Sequence, residues 1–127
     1  MEPIIDPDER LFRAVKFIPH LWDDETGRPS SALFKDSKGV SVDRDGGRPT
    51  EKIVGSYLNM FGEEKVRAVV FLEAWKCFQA GTYIKYTPSR RNKFHAEIHR
   101  SPNQIELTKS QQRFLAKNCI FVFQRES

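Results

Sequence analysis

The stretch VRAVVFL, residues 66–72, constrains this chain of 127 residues more than any other. Valine at 66, 69 and 70 suits an extended backbone, and apolar side chains on both alternating faces demand cover on both sides. A strand of that kind needs a sheet around it and layers above and below. A chain of this length builds such an arrangement as one domain.

The neighbouring segments supply the parts. LFRAVKFI (11–18), TYIKYT (82–87), FHAEIH (94–99) and IFVF (120–123) read as further strands. Thr50 reads as the N-cap of EKIVGSYLNMF, whose Ile53, Val54, Tyr57, Leu58 and Phe61 fall on one helical face before Gly62 supplies a left-handed stop. EAWKCFQAG reads as a short helix closed by Gly81. Thr108 and Gln111 form a capping box that opens KSQQRFLAKN, with Asn118 at its end. The order β, β-hairpin, α, β, α, β, β, α, β predicts an α+β fold: a single domain over 11–127, mostly antiparallel sheet with two to three helices, after a flexible acidic N-terminus over 1–10. From Pro19 to Pro49 the chain is rich in Asp, Gly, Ser and Pro. There SALFK and GVSVD flank DSKG as a hairpin with its turn at Asp36 to Gly39, and the whole long loop/hairpin segment 19–49 reads as a lid or binding loop.

Several classes of function fall away on composition. MEPIIDPDER lacks the basic and apolar regions of a secretory signal, and no run approaches the roughly 18 apolar residues of a membrane helix. The expectation is a cytoplasmic protein with no membrane partner. Cys77 and Cys119 stand alone in apolar settings, as buried reduced thiols rather than a disulfide framework.

Charge is unevenly spread. Residues 85–127 carry nine Lys or Arg against three Glu, a balance of +6, so the first 84 sum to −2 within a net +4. A basic region of this kind fits a phosphate-bearing partner, nucleic acid or nucleotide, or an acidic protein.

His-Ala-Glu within FHAEIH matches the opening of the zinc-dependent nucleobase deaminases. Their signature also needs a downstream Pro-Cys-x-x-Cys to complete the zinc shell, and nothing after Glu97 provides it. What remains is alternation. On a strand, Phe94, Ala96 and Ile98 take one face and His95, Glu97 and His99 the other. The simplest account is a solvated sheet face. A second is metal-free cleavage of a phosphodiester, with Glu97 as base, His95 or His99 as acid, and Arg90, Arg91 and Lys93 of SRRNK on the phosphate. The capped helix near Thr108 adds free amides with Lys109 and Ser110 in its first turn, a further phosphate-binding element. A third is a divalent ion held by His95, His99 and Asp43 or Asp45, which ranks below the second, so neither a cofactor nor a metal is expected. Arg13, Ser30 or Ser31, and Glu97 also stand in the order of an ADP-ribosyltransferase site, a fold-level analogy only.

The segments LFRAV, RPSSALFKDSKGVSVDR, HAEI and LTKSQQRFLAK resemble those of a group of small bacterial proteins with no assigned function. The resemblance spans most of the chain and implies a bacterial cytoplasmic protein, of the kind encoded among genes that deal with foreign nucleic acid. The sequence thus favours an RNA- or nucleotide-binding domain, with a phosphodiesterase activity as its sharper form. The alternative is a non-enzymatic protein-interaction module of a defence or toxin–antitoxin type system.

Overall fold

The structure, a computed structural model, describes residues 4–125. Its main sheet has the order β6-β7-β4-β1-β5-β8, with every pair antiparallel. The strands are β1 (Arg10–Lys16), β4 (Val40–Arg44), β5 (Val66–Glu73), β6 (Tyr83–Tyr86), β7 (His95–His99) and β8 (Ile120–Gln124). A two-stranded ribbon of β2 (Trp22–Asp23) and β3 (Arg28–Pro29) lies in the β1–β4 connection. The helices are α1 (Thr50–Phe61), α2 (Ala74–Gln79) and α3 (Lys109–Asn118). The chain is therefore the α+β domain with a largely antiparallel sheet that its patterning predicts. No helix among the described residues is long and apolar enough to cross a membrane.

The apolar run of β5 is covered on both faces. Ala68, Val70 and Leu72 join the larger core with Leu33, Phe34, Cys77 and Leu115. Val66 and Val69 join a smaller one with Phe12, Ile53 and Tyr57, against which Val54, Leu58 and Phe61 of α1 also pack. Gly62 ends α1 at φ 92°, its amide bonding Leu58 O at 3.0 Å, and the Thr108–Gln111 capping box is formed at the start of α3. Cys77 and Cys119 are free and buried.

Two local expectations are corrected. The segment SALFK does not pair with GVSVD. Ser31–Phe34 is a short 3-10 turn, and β4 pairs with β1 and β7 instead. The reason is burial: Leu33 and Phe34 are adjacent yet both buried in the same core, whereas neighbouring side chains of a strand take opposite faces. Asp36–Gly39 is nonetheless a turn, closed by Gly39 N to Asp36 O at 3.2 Å. Thr50 is the first helical residue rather than the cap. The amides of Lys52 and Ile53 bond Pro49 O, and Thr50 Oγ1 accepts from the Arg10 guanidinium at 2.6 Å.

Segment 19–49 contributes Trp22, Leu33, Phe34, Val40 and Val42 to the larger core. Arg28 fastens it to the end of α3 through the carbonyls of Ala116 (3.2 Å) and Cys119 (2.5 Å). Of segment 1–10, residues 1–3 lie outside the described residues. Pro7 and Glu9 accept backbone bonds from Trp75 and Ala74, which fasten this part of the chain to the fold.

Candidate functional site: the open sheet face and the β1–β4 cleft

Helix α1 packs on β1, β5 and β8, and no buried apolar residue of β4, β6 or β7 joins that second core. The second face of those three strands is polar instead. Cross-strand register sets it out in rows: Ser41, Glu97 and Lys85 side by side, and Asp43 beside His95. His99 lies opposite Tyr83, with Gly39 on its other side. The alternation read in FHAEIH is thus realised for His95, Glu97 and His99. Phe94 lies outside the strand and stacks beneath the Arg48 guanidinium at 3.8 Å, apart from the core.

The three β7 side chains are held differently. His95 Nδ1 lies 2.7 Å from Thr87 Oγ1 and 3.3 Å from Thr87 O. That carbonyl only accepts, so a proton on Nδ1 satisfies it, and among the described residues the hydrogen bonds of the ring use Nδ1 rather than Nε2. Glu97 Oε1 is 2.8 Å from His99 Nε2, and His99 is only 7% exposed. His99 therefore orients the carboxylate, while His95 presents a free nitrogen two residues, or about 7 Å, along the strand. A phosphoryl group flanked by two hydrogen bonds of about 2.8 Å spans a gap of this size.

His95 also lines a cleft of about 410 Å³ where β1 and β4 part. The two strands pair only at Leu11↔Arg44 and Phe12↔Asp43. Beyond that point Arg13 fills the gap, its Nε donating to Leu33 O (2.9 Å) and its Nη1 to Ser41 O (2.7 Å). Burial lowers the Arg13 pKa below the ordinary arginine value, against the opposing influence of Tyr57 and Asp36. The rear wall is a hydrogen-bonded chain in which the Tyr57 hydroxyl and the Asn92 amide each donate to the Asp43 carboxylate. Burial, then the charge of Asp43 and the hydrogen bond to it, push the Tyr57 pKa well above 10, so this hydroxyl stays protonated.

The loop residues Arg90, Arg91 and Lys93 are exposed beside this end of β7, and Arg91 and Asn92 line a second hollow that also includes Asp43 and Tyr57. Lys109 and Ser110 are not part of the same site. Helix α3 packs on the opposite face of the sheet, where Lys109 Nζ donates to Ser31 Oγ at 2.7 Å. Its first turn also lies at the far end of β7, where Gln111 bonds Arg100 O. The spacing of a capping box sets a helix start but says nothing of which sheet face the helix covers.

The three ligands weighed for a divalent ion are not brought together. His95 and His99 are four residues apart on one strand, roughly 13 Å, and Asp45 is engaged by the amide and side chain of Arg10. Among the described residues no group of three His, Cys, Asp or Glu is placed to hold a metal ion. The hydroxyls of Ser30 and Ser31 are taken by His20 O and Lys109; the serine beside Glu97 is Ser41. The sequence singled out Arg13 and, within SRRNK, Asn92, but missed Tyr57 as a site residue and Asn92 as the partner of Asp43. Tyr57 reads as one more core aromatic on α1, and only the pairing of β1 with β4 brings it to Asp43.

Comparison with protein-family models, curated proteins and solved structures finds no match. The fold and site define an α+β protein with an open, polar half-sheet beside a cationic cleft. The chemistry of that surface carries the functional reading.

Proposed function

We propose that this protein binds a phosphate-bearing ligand, RNA or a nucleotide, on the open face of β4, β7 and β6, and cleaves the phosphodiester without a metal. The observation that carries this is the pairing on one strand of a Glu97 carboxylate oriented by His99 with a His95 whose Nε2 is free. Glu97 takes the proton of a ribose 2′-hydroxyl, whose oxygen then attacks phosphorus. The bond to the 5′-oxygen breaks as His95, protonated, gives its proton to that oxygen. The products are a 2′,3′-cyclic phosphate and a free 5′-hydroxyl. Lys85, beside Glu97 in the register, and the exposed Arg90, Arg91 and Lys93 meet the charge on the phosphoryl oxygens.

A cytoplasmic setting fits the two buried free thiols. The rival assignment, a protein-interaction module, rests on the exposed basic loop alone and uses neither the His95 tautomer nor the Glu97–His99 pair.

The test is fluorescence polarisation with labelled single-stranded RNA at two salt concentrations, with probe integrity followed on a gel, with and without chelator. Binding that weakens with salt is expected, because each phosphate contact releases counterions. Cleavage should persist in chelator and fall by roughly 100-fold or more in Glu97→Gln and in His95→Ala. Intact RNA in every tube sinks the phosphodiesterase. Tight capture of an acidic protein with no RNA binding would move the basic loop to the rival assignment.

A further inference from the structure

Arg13 is an unusual occupant of a core-facing strand position. Among the described residues it forms no salt bridge, its hydrogen bonds go to two main-chain carbonyls, and Asp36 acts on it only from beyond salt-bridge distance. A half-buried guanidinium with no carboxylate partner keeps its capacity to bind an anion. Its hydrogen bonds use Nε and Nη1, and Arg13 lines the cleft. The nearby carboxylate, Asp43, is occupied on both oxygens by Tyr57 and Asn92. The charge left available in the cleft is therefore positive.

The cleft is also two-natured. Its lining includes Arg13, Ser41 and His95 and also Ile18, Met60 and Phe61, the last beneath the Lys16 ammonium at 4.3 Å. Met60 is 64% exposed and Ile18 40%, so apolar surface stands open to solvent at this rim. A volume of about 410 Å³ suits one small ligand, and it lies in a gap between two strands, too confined for a duplex.

We infer that the β1–β4 cleft is a mononucleotide subsite, in which Arg13 receives the phosphate and the base rests on the apolar rim of Ile18, Met60 and Phe61. This deepens the phosphodiesterase assignment and rests on it in one respect, that His95 is shared by the cleft and the open face. The scissile phosphate then lies between Arg13 and His95, and the nucleotide entering the cleft must be unpaired. The substrate class is single-stranded RNA, and Arg13 is the cleft cation that the exposed loop residues supplement.

Calorimetric titration with adenosine 3′-monophosphate tests the subsite apart from cleavage. Arg13→Gln should weaken binding roughly 10- to 100-fold, the loss expected of a charge-assisted hydrogen bond. Because Arg13 also bridges two carbonyls, Met60→Glu serves as the second variant. It is exposed, should leave thermal stability unchanged, and should weaken the nucleotide at least tenfold by placing a carboxylate at the rim.

Cleavage of RNA that is indifferent to both Arg13→Gln and Met60→Glu overturns the subsite and leaves the phosphodiesterase standing. Nucleotide binding that depends on Arg13 and Met60 without any RNA cleavage does the reverse. No measurable binding of the nucleotide by the parent protein overturns the subsite outright. Equal cleavage of duplex and single-stranded RNA does so too.

Discussion

At the scale of single residues, Gly39 shows how closely the β7 dyad is enclosed. A Cβ at this position would lie 2.7 Å from Glu97 Oε1 and 2.8 Å from His99 Nε2, and the backbone sits at φ +103°. Gly39→Ala should therefore cost about 1–3 kcal/mol of strain and push the carboxylate off His99. Gly27 is the control, since it shares a positive φ but has nothing within 4 Å of its Cβ position. Urea unfolding of both variants should show a loss in each, while RNA cleavage should fail only in Gly39→Ala. Equal cleavage by the two variants would separate Gly39 from the dyad. His95, Glu97 and His99 were legible because alternation along a strand is a local property. Arg13 carried a weaker signal, a cation in the core-facing phase of an otherwise apolar strand. Nothing local marks Asn92 as a partner of Asp43, 49 positions away.

At the scale of elements, caps account for what the pattern predicted well and for one place where it slipped. Helix α3 begins with both halves of the capping box in place, Gln111 N to Thr108 Oγ1 at 3.1 Å and Thr108 N to Gln111 Oε1 at 2.9 Å. Thr108→Ala should destabilise the protein by about 1 kcal/mol, read as a lower urea midpoint, with Thr108→Ser close to the parent. A loss no larger than that of Thr50→Ser would deny the cap its role. Thr50 has the same residue type before a helix, yet its hydroxyl is turned to Arg10. Residue type alone does not distinguish these two uses. The hairpin expected around Asp36–Gly39 failed for a related reason: its turn chemistry is real, but Leu33 and Phe34 are both drawn into the larger core. Packing onto α3 and the sheet outweighs a pairing that would expose one of them.

At the scale of the whole molecule, two cores lie on opposite faces of one sheet, and their buried ionisable groups set the alkaline limit of stability. Burial raises the Cys77 thiol from 9.0 to about 12, with the hydrogen bond from Thr82 acting the other way. Burial likewise raises the thiol of Cys119 and, with Asp43, the hydroxyl of Tyr57. Each is held protonated in the fold but ionises in the unfolded chain near its ordinary value. The stabilising contribution is thus complete below pH 9 and is lost as pH rises toward 12. Cys77 alone should lower stability by about 1.4 kcal/mol per pH unit across that window, and Cys77→Ala should flatten the decline measured by urea titration at successive pH values. A stability curve level through this range would contradict the burial of these groups. The sequence by itself determined the layered α+β architecture, the helix ends at Gly62 and Thr108, and the shared face of His95, Glu97 and His99. Each follows from propensity, capping or periodicity over a few residues. Only the tertiary structure decided which half of the sheet stays uncovered, that Lys109 and Ser110 lie away from the loop cations, and that β1 and β4 part around Arg13. Those outcomes depend on contacts between residues far apart in the chain, where the volume and burial of whole layers, rather than local pattern, select the arrangement.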